Sequence, residues 1–249
     1  MAQAATAEAA PANLTVDPSA GIVAGKATAE LRKVMVERQL RPFDVTDLPV
    51  LQRFFDVPRE FFLPPELKPM AYSDLAISGR GAAGAASRAI PAPLVLARFL
   101  QKAEIRPTQR VLDVAGGAGY SAALLSGLAG EVVALENEPE LAALARANLA
   151  KVGATQVRVE CGPLEKGVPA AAPFDVILVH GAVEGGLDAL FEQLAPNGRL
   201  LAYKKLAEHS GMKVVCFERS EGKPAGERAL FDATAPLLAP FANAPGFTF

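Results

Sequence analysis

At 249 residues the chain is one large domain or two small ones, because domains usually run to about 100–200 residues. Its 51% hydrophobic and 21% charged residues exclude wholesale disorder. Lys+Arg at 25 against Asp+Glu at 27 leave a net charge of -2, which excludes a global attraction to nucleic acid or to an anionic membrane. Residues 1–27 carry Glu8, Pro11, Asp17 and Pro18 and no basic residue before Lys26, so they lack the basic start and continuous apolar core of a secretory signal. They read as a flexible arm. No apolar run reaches the roughly 18 residues of a membrane span. Cys161 and Cys216 belong to no CxxC or Cys/His cluster, so neither a disulfide framework nor a metal site is expected, and a reduced, cytoplasmic setting fits.

From Thr28 onward Leu31, Val34, Met35, Arg38 and Gln39 fall on helical spacing until Pro42 closes the run. A second helix is expected over 48–55, before the prolines Pro58, Pro64 and Pro65. Residues 28–93 thus form a helical preface that includes a Gly/Ala-rich loop at 78–86. Helix and strand then alternate: helix 94–103, strand 110–114, helix 120–129, strand 131–136, helix 139–152 and strand 156–161. Strand 174–179, helix 185–194 and strands 198–203 and 213–218 follow. Strands apolar on both faces, such as Phe174-Asp-Val-Ile-Leu-Val, belong in a parallel sheet covered by helices, so the class is α/β, a doubly wound Rossmann-like sheet over 94–220. Residues 221–249, with several Pro and Gly, read as a tail anchored by Phe231, Phe241, Phe247 and Phe249.

The chemistry concentrates in Val111-Leu-Asp-Val-Ala-Gly-Gly-Ala-Gly-Tyr120, a strand that runs into a glycine turn and opens a helix. Glycines there let a ligand approach the backbone, and the helix N-terminus offers it unpaired amides. The next strand ends in Glu136, placed to accept both hydroxyl hydrogens of a ribose. Gly117-Ala-Gly119-Tyr-Ser-Ala122 also satisfies a relaxed dinucleotide pattern, so the glycines alone leave a nicotinamide cofactor open. Gly79-Arg-Gly-Ala-Ala-Gly84 has similar spacing, but no β-rich run precedes it. Among the remaining chemistry-bearing side chains, His180 follows a buried strand near the cofactor side of such a sheet, His209 reads as surface, and both cysteines read as core packing.

Asp113 before the glycine turn, Glu136, Phe174-Asp175-Val-Ile-Leu-Val and Leu194-Ala-Pro-Asn-Gly-Arg-Leu resemble motifs of class I S-adenosylmethionine (SAM) methyltransferases. Within that class, Met35-Val-Glu-Arg-Gln-Leu40, Val57-Pro-Arg-Glu-Phe-Phe-Leu-Pro64, Ala71-Tyr-Ser-Asp74 and Gly119-Tyr-Ser-Ala-Ala-Leu-Leu125 are similar to protein-L-isoaspartate O-methyltransferases. The resemblance implies SAM as cofactor, a protein or peptide carboxylate as methyl acceptor, and cofactor contacts from Asp113, Ala115, Gly116, Gly117, Gly119, Tyr120, Glu136, Asn137 and His180. That family's Thr-Ile-Ser-x-Pro loop is matched by Ala89-Ile90-Pro91-Ala92-Pro93, without either hydroxyl; its adenine-binding acid is matched by Cys161-Gly162-Pro163. Arg88, helped by Ser87, is the expected substitute, since a guanidinium can hold a carboxylate with two hydrogen bonds. A catalytically silent scaffold relative and a nicotinamide oxidoreductase are the alternatives.

Overall fold

The apolar strands of this sequence can be buried on both faces only if helices cover both sides of one sheet, and that is the architecture found. A computed structural model of the chain describes residues 18–78, 88–206, 211–220 and 223–243. Its main sheet has seven strands in the order β5-β4-β3-β6-β7-β8-β9. These are β3 (Arg110–Val114), β4 (Glu131–Glu136), β5 (Arg158–Cys161), β6 (Phe174–Val183), β7 (Leu194–Lys205), β8 (Met212–Ser220) and β9 (Lys223–Asp232). Strands β3 to β7 are mutually parallel; β8 and β9 run antiparallel as a closing meander. A separate two-stranded ladder pairs β1 (Ile77–Ser78) with β2 (Ala89–Ile90).

Strand alternation sorts the apolar side chains onto two faces. Val111, Val176, Leu178, Leu201 and Tyr203 enter the larger cluster, whereas Leu112, Ile177, Val179 and Leu200 enter the other. The larger cluster receives α1 (Pro18–Met35), α2 (Leu48–Asp56), α3 (Pro93–Ala103), α4 (Tyr120–Leu125) and α5 (Pro139–Lys151); α6 (Asp188–Glu192) serves the smaller one. Asp47 caps α2 by accepting the Val50 amide at 3.0 Å, which satisfies one orphan donor of its first turn. From α2, Arg53 donates to the carbonyls of Leu124 and Ala123 at 3.1 and 2.9 Å, binding the preface to the C-terminal end of α4.

Several sequence expectations need correcting. Helix α1 begins at Pro18, inside the stretch read as an arm, and its last turn widens into a π-helical segment, Val36–Leu40. Residues 1–17 and the loop at 79–87 lie outside the described residues, as do His209, Phe247 and Phe249. Helix α4 stops at Leu125 and α6 is short, while β7 starts at Leu194 and β6 continues to Val183, placing His180 within a strand. The tail contributes a full strand, β9: Pro224 and Gly226 read as breakers, but at the sheet's edge a missing amide or side chain is tolerated. Phe231 and Phe241 are buried anchors.

Candidate cofactor and substrate site

Strands β3, β4 and β5 fill one half of the parallel sheet and β6 returns on the other side of β3, so the strand order reverses between β3 and β6. Ligands of open α/β sheets bind beyond the C-terminal strand ends at such a reversal. Here β3 delivers Asp113 and the glycine turn, β4 delivers Glu136, and β6 delivers His180.

Asp113 is completely buried, and both its oxygens are taken by the protein. Oδ2 accepts from the Ser121 hydroxyl at 2.7 Å, and Oδ1 lies 2.5 Å from Nε2 of His180. The other ring nitrogen, the buried Nδ1, has no partner among the described residues. Alternation along β6 puts His180 on the face of Val176 and Leu178, and alternation along β3 puts Asp113 on the face of Val111, so the two side chains meet on one side of the sheet. Asp113 therefore fastens β6 and α4 to β3 instead of presenting a free carboxylate to a ligand. Gly116 is fitted to this knot: a Cβ there would lie 2.4 Å from Asp113 Oδ2 and 2.6 Å from Ser121 Oγ.

Gly117 and Gly119 adopt φ of 65° and 94°, a region costly for residues with a Cβ. Ala115 stands at φ 60° without that freedom. The Gly117 amide donates to Glu136 Oε2 at 3.1 Å, which brings the only 3%-exposed carboxylate of β4 onto the turn. The other oxygen, Oε1, accepts from Nε and Nη2 of Arg88 at 3.1 and 2.9 Å and from the Asn137 amide at 3.1 Å. Arg88 Nη2 also donates to Asn137 Oδ1.

The structure thus brings Arg88, Gly117, Glu136 and Asn137 together, and separately Asp113, Ser121 and His180. Tyr120 departs from its expected role: it is 1% exposed, with its ring against Phe54 and Phe62, so its side chain is committed to the core. Burial pushes its phenol up to about 12. Ser87 lies outside the described residues. Cys161 is exposed at the end of β5 instead of packed, whereas Cys216 is buried. One residue was overlooked in the sequence: Arg59, fully buried, donates Nη2 to the Pro91 carbonyl at 2.9 Å and stacks 5.2 Å over the Tyr120 ring. It pins the loop that replaces the hydroxyl signature, and its signal was the Val57-Pro-Arg-Glu-Phe-Phe-Leu-Pro64 motif, a charge embedded in an apolar run.

A glycine turn after the first parallel strand, joined by a buried carboxylate from the end of the second, defines a Rossmann-like nucleotide-cofactor domain, and similarity to known proteins places it in the SAM-dependent methyltransferase class. The family of protein-L-isoaspartate(D-aspartate) O-methyltransferases matches residues 32–224. Protein-L-isoaspartate O-methyltransferase 2 of Marinobacter nauticus is 40% identical over 178 residues, 71% of this chain and 78% of that protein. A solved protein-L-isoaspartate O-methyltransferase superposes with a TM-score of 0.72 at 23% identity; the match covers 85% of this chain and 66% of that one. A structure from Plasmodium falciparum, described as the same enzyme in complex with S-adenosyl-L-homocysteine (SAH), gives 0.70 at 18% identity over 86% of this chain and 98% of that one. At these identities the two structures speak to the fold alone. The chain belongs to the protein-L-isoaspartate O-methyltransferase family, whose cofactor is SAM. No helix among the described residues is long and apolar enough to cross a membrane.

Proposed function

We propose that the chain transfers the methyl group of SAM to the free carboxylate of an isoaspartyl residue in a protein or peptide. The observation that carries the reading is the buried Glu136 carboxylate hydrogen-bonded to the Gly117 amide. It sets two acceptor oxygens beside a backbone left open by glycine, the arrangement that receives ribose hydroxyls. Asn137, next in the chain, extends that polar edge, while His180 and Asp113 hold the β3 and β6 ends in register.

When bound, SAM supplies an electrophilic methyl on a sulfonium: an O–C bond forms as the C–S bond breaks, leaving a methyl ester and neutral SAH with no proton to move. An ionised carboxylate is already the nucleophile at neutral pH, so the protein needs to align it and exclude water. Pro91, held by Arg59, and Ala89 form the wall where the substrate would lie; neither brings a hydroxyl.

Calorimetry with SAH and a methyl-transfer assay on an isoaspartyl peptide, with the normal aspartyl peptide as control, test the reading. Hydrogen bonds to a charged group are worth about 1.5–3 kcal/mol, so Glu136→Ala should weaken SAH binding at least about tenfold. Unchanged affinity in that variant, or equal labelling of both peptides, would refute the assignment.

A further inference from the structure

Glu136 is the group a ribose would use, yet its Oε1 already accepts two hydrogen bonds from Arg88. The pair is well enclosed, the two side chains being 10% and 4% exposed. Arg88 also lies across the turn: a Cβ added to Gly117 would stand 2.8 Å from Arg88 Cβ. The guanidinium therefore sits where ribose hydroxyls have to donate, and a carboxylate oxygen that accepts two guanidinium N–H groups and the Asn137 amide has little room for another donor.

We propose that Arg88 is a latch on the cofactor site: it holds Glu136 until ribose displaces it, and once displaced it receives the carboxylate of the substrate. The inference rests on the methyltransferase reading above. Arg88 directly precedes β2 and the Ala89 to Pro93 loop, so a guanidinium released from Glu136 stays beside the wall assigned to substrate. The two N–H groups that converge on Glu136 Oε1 are free, once released, to meet both oxygens of another carboxylate side by side. Cofactor binding then exchanges the partner of Arg88, and the two ligands bind in order, cofactor first.

The latch has a thermodynamic signature of opposite sign to that of an ordinary cofactor contact. A ligand that must first open a closed state binds with its affinity reduced by the open fraction. Arg88→Met, which keeps the aliphatic stem and removes the fork, should tighten SAH binding roughly tenfold in calorimetry, with Arg88→Lys in between. Without ligand, Arg88→Met should melt below wild type because Glu136 is left buried without its cation, yet gain more from saturating SAH. An isoaspartyl peptide should bind wild type more tightly when SAH is present, and that coupling should vanish in Arg88→Met. Equal or weaker SAH binding by Arg88→Met, with wild-type binding intact, overturns the latch alone. Coupling that survives in the variant overturns the transfer of Arg88 to substrate. No SAH binding by wild type or variants removes the methyltransferase reading and the latch with it. If Arg88→Met shows no cooperative melt, the same comparisons are made with Arg88→Lys, where a wild-type SAH affinity overturns the proposal.

Discussion

Gly116→Ala probes how tightly the glycine turn is built onto the fold. The added Cβ would lie 2.4 Å from Asp113 Oδ2 and 2.6 Å from Ser121 Oγ, so one of those atoms must retreat by most of an ångström. Neither is free to do so, since Asp113 is fully buried and bonded on one side to Ser121 and on the other to His180. Losing one hydrogen bond to a charged group costs about 1.5–3 kcal/mol, and overpacking a tight site costs about 1–3 kcal/mol. These are alternative ways of relieving one clash, so they do not add; a destabilisation of about 2–3 kcal/mol is expected. For a domain of this size each kcal/mol moves Tm by about 2–4 °C, which gives a fall of about 4–12 °C. The control is Gly162→Ala, where the nearest atom is Leu135 Cδ1 at 3.8 Å and little change is expected. Scanning calorimetry of both variants, and of Gly116→Ala combined with Ser121→Ala, measures the effect. Removing the Ser121 hydroxyl frees the carboxylate to rotate, so the double variant should lose less than the sum of the single losses. Equal melting of Gly116→Ala and Gly162→Ala, or strict additivity with Ser121→Ala, would refute the steric account.

Restoring hydroxyls to the loop with Ala89→Thr and Pro91→Ser should raise kcat on an isoaspartyl peptide more than it lowers KM, because contacts made in the transition state act on turnover; steady-state kinetics decides. Every tyrosine is buried: burial pushes Tyr120 up to about 12 and raises Tyr203, and burial with a hydrogen bond to Glu60 raises Tyr72. The folded state holds those protons more tightly than the unfolded chain, whose phenols ionise near pH 10. Their contribution to stability is thus fully present below about pH 10 and is lost as pH rises from there through the folded values, for Tyr120 between about 10 and about 12 and for Tyr72 and Tyr203 higher still, so phenolate absorbance should grow together with unfolding as measured by circular dichroism.

Much of the fold was legible because its elements obey one period at a time. Strands 110–114 and 131–136 are short runs rich in Val and Leu, the first carrying Asp113 and the second framed by Glu131 and Glu136, and they matched β3 and β4 at both ends. Strand β9 was not legible, since a proline and a glycine inside it read as turn residues until its position at the edge is known. His180 was read as following its strand because the unbroken apolar run stops at Val179, whereas β6 continues through it to Val183. The residues of the site were legible as types; their partners were not. Arg88 and Glu136 are separated by 48 residues, and Arg59 and the Pro91 carbonyl by 32, so only the folded chain shows which groups hydrogen-bond to each other.

The meander that completes the sheet leaves β9 as a ten-residue rim strand, a length at which one row of backbone donors and acceptors can recruit a second chain. The sequence of β9 makes it a poor template for that addition. Pro224 removes one donor from the row, register shifts near Val214 and Phe217 bend the ribbon, and Glu227, Arg228 and Asp232 ion-pair back onto Lys204, Glu218 and Lys213. The features that hid this strand from sequence reading thus also oppose growth into an intermolecular sheet. Replacing the proline and the three charges with β-branched residues should straighten and neutralise the rim and favour self-association through it.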